Sequence, residues 1–256
     1  MSGQVPRWPR RGPLPAPRAE LRLLRPPRRP LARLPSRGGQ VLVAPEIRPR
    51  VALFGGSFDP PHCGHLHAAR TARKAFELDQ VRFMPAARPP HKPDRILAAG
   101  TQRARMLELA IATAEPDLQR ASLVDRRELE RPGPSYTLLS VEELLAEAGG
   151  PEAVELFLIL GSDNLQGLEL WHEIERLLCL ARPIVIQRGA RAAELPAALS
   201  AKLSHGAMES LRAGLVALPP VNASSTEARG RVESGPELAP EVAAYIDRHG
   251  LYKRKL

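Results

Sequence analysis

Two histidines three residues apart, His62 and His65, stand in the string GGSFDPPHCGH, just after the short apolar run VALF at 51–54. Glycine, imidazole and the opening of a helix are the parts of a phosphate cradle. Gly55 and Gly56 carry no Cβ, so the backbone there can come close to a polyanion, and a helix starting near Gly64 adds free NH groups and the positive end of a dipole. Ser57 and Phe58 continue the same turn. At a spacing of three, His62 and His65 fall on one helical face, where both rings can share the charge and hydrogen bonds of a triphosphate. The plainer alternative is that the two rings cap and pack a helix start.

A second string, NASSTEAR at 222–229, reads as another helix N-terminus. The hydroxyls of Ser224, Ser225 and Thr226 extend a row of donors there, and Arg229 adds a forked cation one turn further in. Taken alone it is equally a capping box, since Ser224 and Glu227 have the S-x-x-E spacing. Paired with the two histidines, it favours phosphate over simple capping.

The elements that must bring these strings together are legible as six apolar runs: 51–54, 81–85, 121–125, 154–160, 183–187 and 215–218. Between them lie stretches with helical spacing: His65 to Phe76, Thr101 to Thr113, Thr137 to Ala148 and Asn164 to Leu178. Strand alternating with helix predicts an α/β fold, Rossmann-like and doubly wound, with a mainly parallel sheet and helices on both faces. Ligands in such folds bind beyond the carboxyl ends of the strands. Four segments follow strands in this way: GGSFDPPHCGH, PPHKP at 89–93, GSDNL at 161–165 and NASSTEAR. The closing PEVAAYIDRHG has Pro240 suited to a first helical turn and Gly250 to a stop, and it is expected to pack as structure.

The net charge of +9 over 256 residues suggests a nucleic-acid partner until it is mapped. Residues 1–50 hold twelve arginines against Glu20 and Glu46, a charge of +10, which leaves −1 for the rest. The body therefore reads as a small-molecule protein, with nucleic acid unlikely except through the tail. Residues 1–49 are dense in Pro and Arg and are expected to be a disordered extension, with residues 50–256 forming one domain. A targeting segment, a gene-start artefact and an RNA-binding tail are the other readings of that extension. Two cysteines, Cys63 and Cys179, give neither a disulfide framework nor a thiolate zinc site, and no run is long enough for a membrane helix. A cytoplasmic protein is expected, its oligomeric state unreadable.

No GxxxxGK[ST] loop, no GxGxxG and no nucleophile triad is present. GGSFDPPHCGH with SSTEAR instead resembles the nucleotidylyltransferase superfamily, with its HxGH and late SSTxxR motifs. PPHKP, PSYT at 134–137, LGSDNL at 160–165, Trp171 and YIDRHGLY at 245–252 are similar, in order and spacing, to bacterial nicotinate-nucleotide adenylyltransferases. The resemblance spans residues 50–253. It implies transfer of AMP from ATP to nicotinate mononucleotide, giving nicotinate adenine dinucleotide and pyrophosphate in NAD biosynthesis. It also implies that Tyr136, Thr137 and Trp171 line the mononucleotide pocket, and that Gly161 and Asp163 meet the nucleotide and its ribose. Core aromatics and a helix cap are the structural alternatives for Tyr136, Trp171 and Asp163.

The residues fit that chemistry on their own terms. A mononucleotide phosphate, with a second pKa near 6, is already ionised at neutral pH, so the attacking group needs no general base. In-line attack on the α-phosphorus then needs alignment and neutralised charge. His62, His65 and Arg229 are assigned to the triphosphate, Ser224, Ser225 and Thr226 support it, and Lys92 adds a cation. Mg2+ is expected with ATP, held by phosphate and water. Where many relatives carry a polar residue after the Pro of the second strand, this chain has Ala86 and Ala87, leaving only backbone contacts there. Alternatives are an adenylyltransferase acting on nicotinamide mononucleotide or another phosphorylated acceptor, and a non-catalytic ATP-binding or RNA-associated module.

Overall fold

The computed structural model describes residues 48–87, 98–188, 194–218 and 237–252. The predicted N-terminal extension thus lies, but for its last two residues, outside them. All six apolar runs are strands: β1 (Arg50–Gly56), β2 (Gln80–Pro85), β3 (Ser122–Val124), β4 (Glu155–Gly161), β5 (Arg182–Arg188) and β6 (Leu215–Leu218). They form one parallel sheet in the order β3-β2-β1-β4-β5-β6. The chain winds outward from β1 to one edge, returns to the centre, and winds outward again from β4. That reversal opens a crevice between β1 and β4 at the carboxyl edge.

Strand side chains alternate faces with a period of two, and both faces are apolar, as a doubly covered parallel sheet requires. Ala52, Phe54, Val81, Phe83, Phe157, Ile159, Ile184 and Ile186 point into one core. The helices α1 (Cys63–Ala75), α2 (Gly100–Ala112), α3 (Pro116–Ala121) and α9 (Pro240–Arg248) cover it. Leu53, Met84, Leu156, Leu158, Leu160 and Val185 point into the other. There the covering helices are α5 (Thr137–Ala148), α6 (Ile174–Leu180), α7 (Ala197–Lys202) and α8 (His205–Ala213). A short α4 (Arg127–Glu130) follows β3. No helix among the described residues is long and apolar enough to cross a membrane.

The predicted helix from Asn164 to Leu178 is broken in three. Two short 3-10 turns, Ser162–Leu165 and Leu168–Leu170, precede α6. Gly167 at φ +87 and Glu173 at φ +46 are left-handed, and a right-handed helix cannot pass through either. The C-terminal expectation holds: Pro240 opens α9 and Gly250, at φ +61, follows its end.

At the sheet's amino edge Arg50 and Arg182 both bond Glu155, at 2.9 and 2.5 Å, while their guanidiniums sit 5.4 Å from the Phe157 ring. Gly214, between α8 and β6, is held by contact, since a Cβ there would lie 2.1 Å from the Pro183 carbonyl oxygen. These features fix the frame at places remote from the phosphate strings.

Candidate active site

The turn after β1 is shaped by one ring. Phe58 is left-handed (φ +47) and 1% exposed, packed edge-on against Phe54 and Phe83 at centroid distances of 5.6 and 6.0 Å. A Cβ on Gly56 would lie 3.1 Å from the Phe58 ring, whereas a Cβ on Gly55 would meet nothing within 4 Å. The two glycines therefore do different things. Gly56 makes room for Phe58, and Gly55 leaves open space of the kind a polyanion needs. Phe58 itself has its ring in the core, so its side chain serves packing.

His62 is the N-cap of α1 with extended backbone, and His65 is the third residue of the helix. The sequence places both rings on one helical face, but the extended cap brings them together differently: the ring centroids are 3.8 Å apart and tilted by 36°. His62 is buried at 2% exposure. The Nδ1 atom of His65 accepts the backbone NH of His62 at 3.1 Å, and Phe58 packs on the same ring at 4.9 Å. With Nδ1 accepting, the neutral ring carries its proton on Nε2, which makes it a donor away from the backbone. No acidic residue of α1 lies in its own first turn, but the Cys63 NH is given to the Glu237 carbonyl at 2.8 Å and the Glu237 charge lies close to Cys63.

Next to this turn, Arg103 on α2 is 1% exposed and donates to three carbonyls: Ala98 at 3.1 Å, Ser57 at 2.7 Å and Ala86 at 2.7 Å. Burial lowers its pKa from the usual value, and the carboxylate of Asp59 opposes that. Asp59, also buried, accepts the Ala98 NH at 3.3 Å and the Tyr252 hydroxyl at 2.5 Å. The chain's C-terminal segment is thereby fastened to the turn that follows β1.

On the β2 side the Ala86 NH is given to Gly56 at 2.9 Å and the Ala87 NH to the Ser135 hydroxyl at 3.0 Å. The two amides at the position where the sequence leaves only backbone contacts are thus engaged within the protein. Ser135 belongs to PSYT and also hydrogen-bonds Glu128, whose pKa burial raises against that bond. Tyr136 and Thr137 begin α5, and the Tyr136 ring stacks on His172 at 4.5 Å and 29°. Trp171, half-buried, packs on the second core. Gly161 ends β4, and Asp163 is exposed within the 3-10 turn that follows, two residues past the N-cap, Gly161. Since Phe54 pairs with Ile159, Gly56 and Gly161 leave the sheet on adjacent strands at the same edge.

The described candidates thus gather at the carboxyl edge. Lys92, Ser224, Ser225, Thr226 and Arg229 lie outside the described residues. Sequence reasoning passed over Arg103, Asp59, Ser135 and His172. Arg103 left a signal: it sits three and four residues before Met106 and Leu107, on the apolar face of a helix, where an unpaired cation is costly.

Residues 53–231 match the family model described as cytidylyltransferase-like, which defines the chain's class as a nucleotidyltransferase fold. A relative from Pseudomonas fluorescens, named probable nicotinate-nucleotide adenylyltransferase, is 38% identical over 216 residues, 80% of this chain and 97% of that protein. A relative of the same name from a Roseiflexus species is 39% identical over 207 residues, 79% and 98% of the two chains. This chain belongs to the nicotinate-nucleotide adenylyltransferase family. In fold it is similar to the Plasmodium falciparum nicotinic acid mononucleotide adenylyltransferase complexed with APC. The TM-score is 0.59 at 19% identity, covering 80% of this chain and 98% of that one.

Proposed function

We infer that this chain transfers AMP from ATP to nicotinate mononucleotide, forming nicotinate adenine dinucleotide and pyrophosphate. The observation that carries the reading is the paired His62 and His65 at the carboxyl end of β1, beside the crevice between β1 and β4, in a chain of this family. A phosphate oxygen of the mononucleotide attacks the α-phosphorus of ATP as the bond from that phosphorus to the β-phosphate oxygen breaks. The attacking phosphate is ionised at neutral pH, so the protein's work is alignment and charge neutralisation. His65, with Nε2 as donor, and His62 act on the triphosphate, joined by Arg229. Ser224, Ser225 and Thr226 support it with hydroxyl and backbone donors, and Lys92 contributes a further cation. Tyr136, Thr137 and Trp171 receive the pyridine end, and Gly161 and Asp163 the nucleotide. Mg2+ enters with ATP, held by phosphate oxygens and water. Residues 50–256 are the catalytic domain under this reading, and residues 1–49 an extension that takes no part in the reaction.

The test is label transfer. With ATP labelled at the α-phosphorus, the label should move into the dinucleotide while unlabelled pyrophosphate appears in equal amount. Label remaining in ATP or appearing as free AMP would contradict the reading.

A further inference from the structure

We propose that Arg103 is a positioning residue for the adenylyl transfer: its one guanidinium sets the spacing between the turn after β1 and the turn after β2. The inference rests on the function proposed above, because the turn after β1 carries the paired histidines and the turn after β2 is bonded, through the Ala87 NH on Ser135, to the segment that leads to Tyr136 and Thr137.

Three observations support it. The first is the bonding: the side chain's three donors reach three separate segments, at Ser57, Ala86 and Ala98. Ser57 immediately precedes the Phe58 turn that seats His65, and Ala86 is the first residue after β2. The Ala86 NH in turn bonds the Gly56 carbonyl, so the two turns are joined twice, once directly and once through Arg103.

The second is the base from which the side chain reaches. Ala104, Met106 and Leu107 of α2 are each 0% exposed, so the helix is set in the core and cannot follow a shifting loop.

The third is convergence with Asp59. Ala98 has its NH on Asp59 and its carbonyl on Arg103, two buried charged groups, one on the β1 turn and one on α2. A planar fork can serve three diverging carbonyls, whereas a lysine ammonium is a single point that cannot span them. A buried cation spread over loop carbonyls is a costly way to gain stability alone, since apolar packing of similar volume commonly serves as well. Its particular product is a fixed distance between two loops.

In-line transfer is sensitive to such a distance, and misplacement by about 1 Å can cost on the order of 100-fold. The test uses the full chain and the variants Arg103→Met and Arg103→Lys. Turnover and both KM values are measured per folded molecule, alongside thermal unfolding. The expected result for Arg103→Met is a fall in kcat of about 100-fold, larger than the change in either KM. Arg103→Lys should recover only part, remaining about tenfold below the parent, because charge returns without the fork. If either folded variant has a kcat within about threefold of the parent, with only its melting temperature lowered, the residue is structural and the proposal fails. Should Arg103→Met fail to fold, Arg103→Lys decides by the same criterion. Failure of the parent reading looks different: the unmodified chain itself would then form no dinucleotide.

Discussion

The backbone NH of His62 is bonded to Nδ1 of His65 at 3.1 Å, so the residue that caps α1 also sets the tautomer of the ring tilted against its own. The donor at Nε2 is thus fixed before any ligand arrives, and its orientation costs nothing when charge builds on the phosphates.

Replacing His65 by Ala removes that donor from the α1 N-terminus and leaves the helix otherwise able to form. Loss of one such preorganised donor typically costs 10²–10³ in turnover, and about that fall is expected in kcat. The circular dichroism spectrum should be unchanged. Near-normal turnover would remove His65 from the site.

Much of this arrangement was legible in the sequence, and the reasons differ residue by residue. The six strands were visible because each reads as a short apolar run bounded by turn residues, and the central ones, β1, β2, β4 and β5, are buried on both faces. The edge that carries the site was visible because the motifs follow those runs. What escaped was made by tertiary contact. The helix expected at Asn164 to Leu178 has good helical spacing, yet Gly167 and Glu173 are left-handed, and no local pattern announces it for Glu173. Gly56 reads as a phosphate glycine, but its freedom is used by the Phe58 ring. Arg103 shows only as a cation on an apolar face, because its partners are backbone carbonyls, two of them on the distant turns at Ser57 and Ala86 and one at Ala98, just before its own helix.

Burial, reinforced by the nearby Glu237 charge, pushes the Cys63 thiol from 9.0 up to about 11. The folded chain therefore holds that proton more tightly than the unfolded one. The resulting stability is present below pH 9 and lost as pH rises toward about 11. Over that window the parent should lose on the order of 2 to 3 kcal/mol relative to Cys63→Ala. Native protein at neutral pH should show one thiol reactive to a disulfide reagent, the exposed Cys179, with Cys63 reacting only after denaturation. Two rapid thiols in the folded chain would contradict this.

Asp125 lies among Arg82 at 3.3 Å and Arg127 at 2.9 Å. Burial alone would raise its pKa, but hydrogen bonds from Arg127 and the charges of Arg127 and Arg82 outweigh it and hold the carboxyl below 3.8. A depressed carboxyl stabilises the fold at pH above 3.8, and that contribution is lost as pH falls through the native value. Asp125→Asn leaves the buried Arg82 and the half-buried Arg127 short of a partner and should cost about 3 to 5 kcal/mol at neutral pH. Urea unfolding should show the gap between parent and variant closing in strong acid. A gap that is constant with pH would refute the role of ionisation.

Tyr252 gives its hydroxyl to Asp59 across 193 residues of sequence. Tyr252→Phe keeps the ring and strips one donor from a buried carboxylate, for which a loss of about 1 to 3 kcal/mol is expected. The urea midpoint should fall with an unchanged slope. An unchanged midpoint would mean that the C-terminal segment is held by packing alone.

The most direct test of the function is the ratio of kcat/KM for nicotinate mononucleotide to that for nicotinamide mononucleotide, measured with ATP and magnesium. A preference for the acid of about 10²-fold or more is expected. It would show that discrimination is achieved with the Ala86 and Ala87 amides already engaged by Gly56 and Ser135. A preference for the amide, or no dinucleotide from either, would contradict the account.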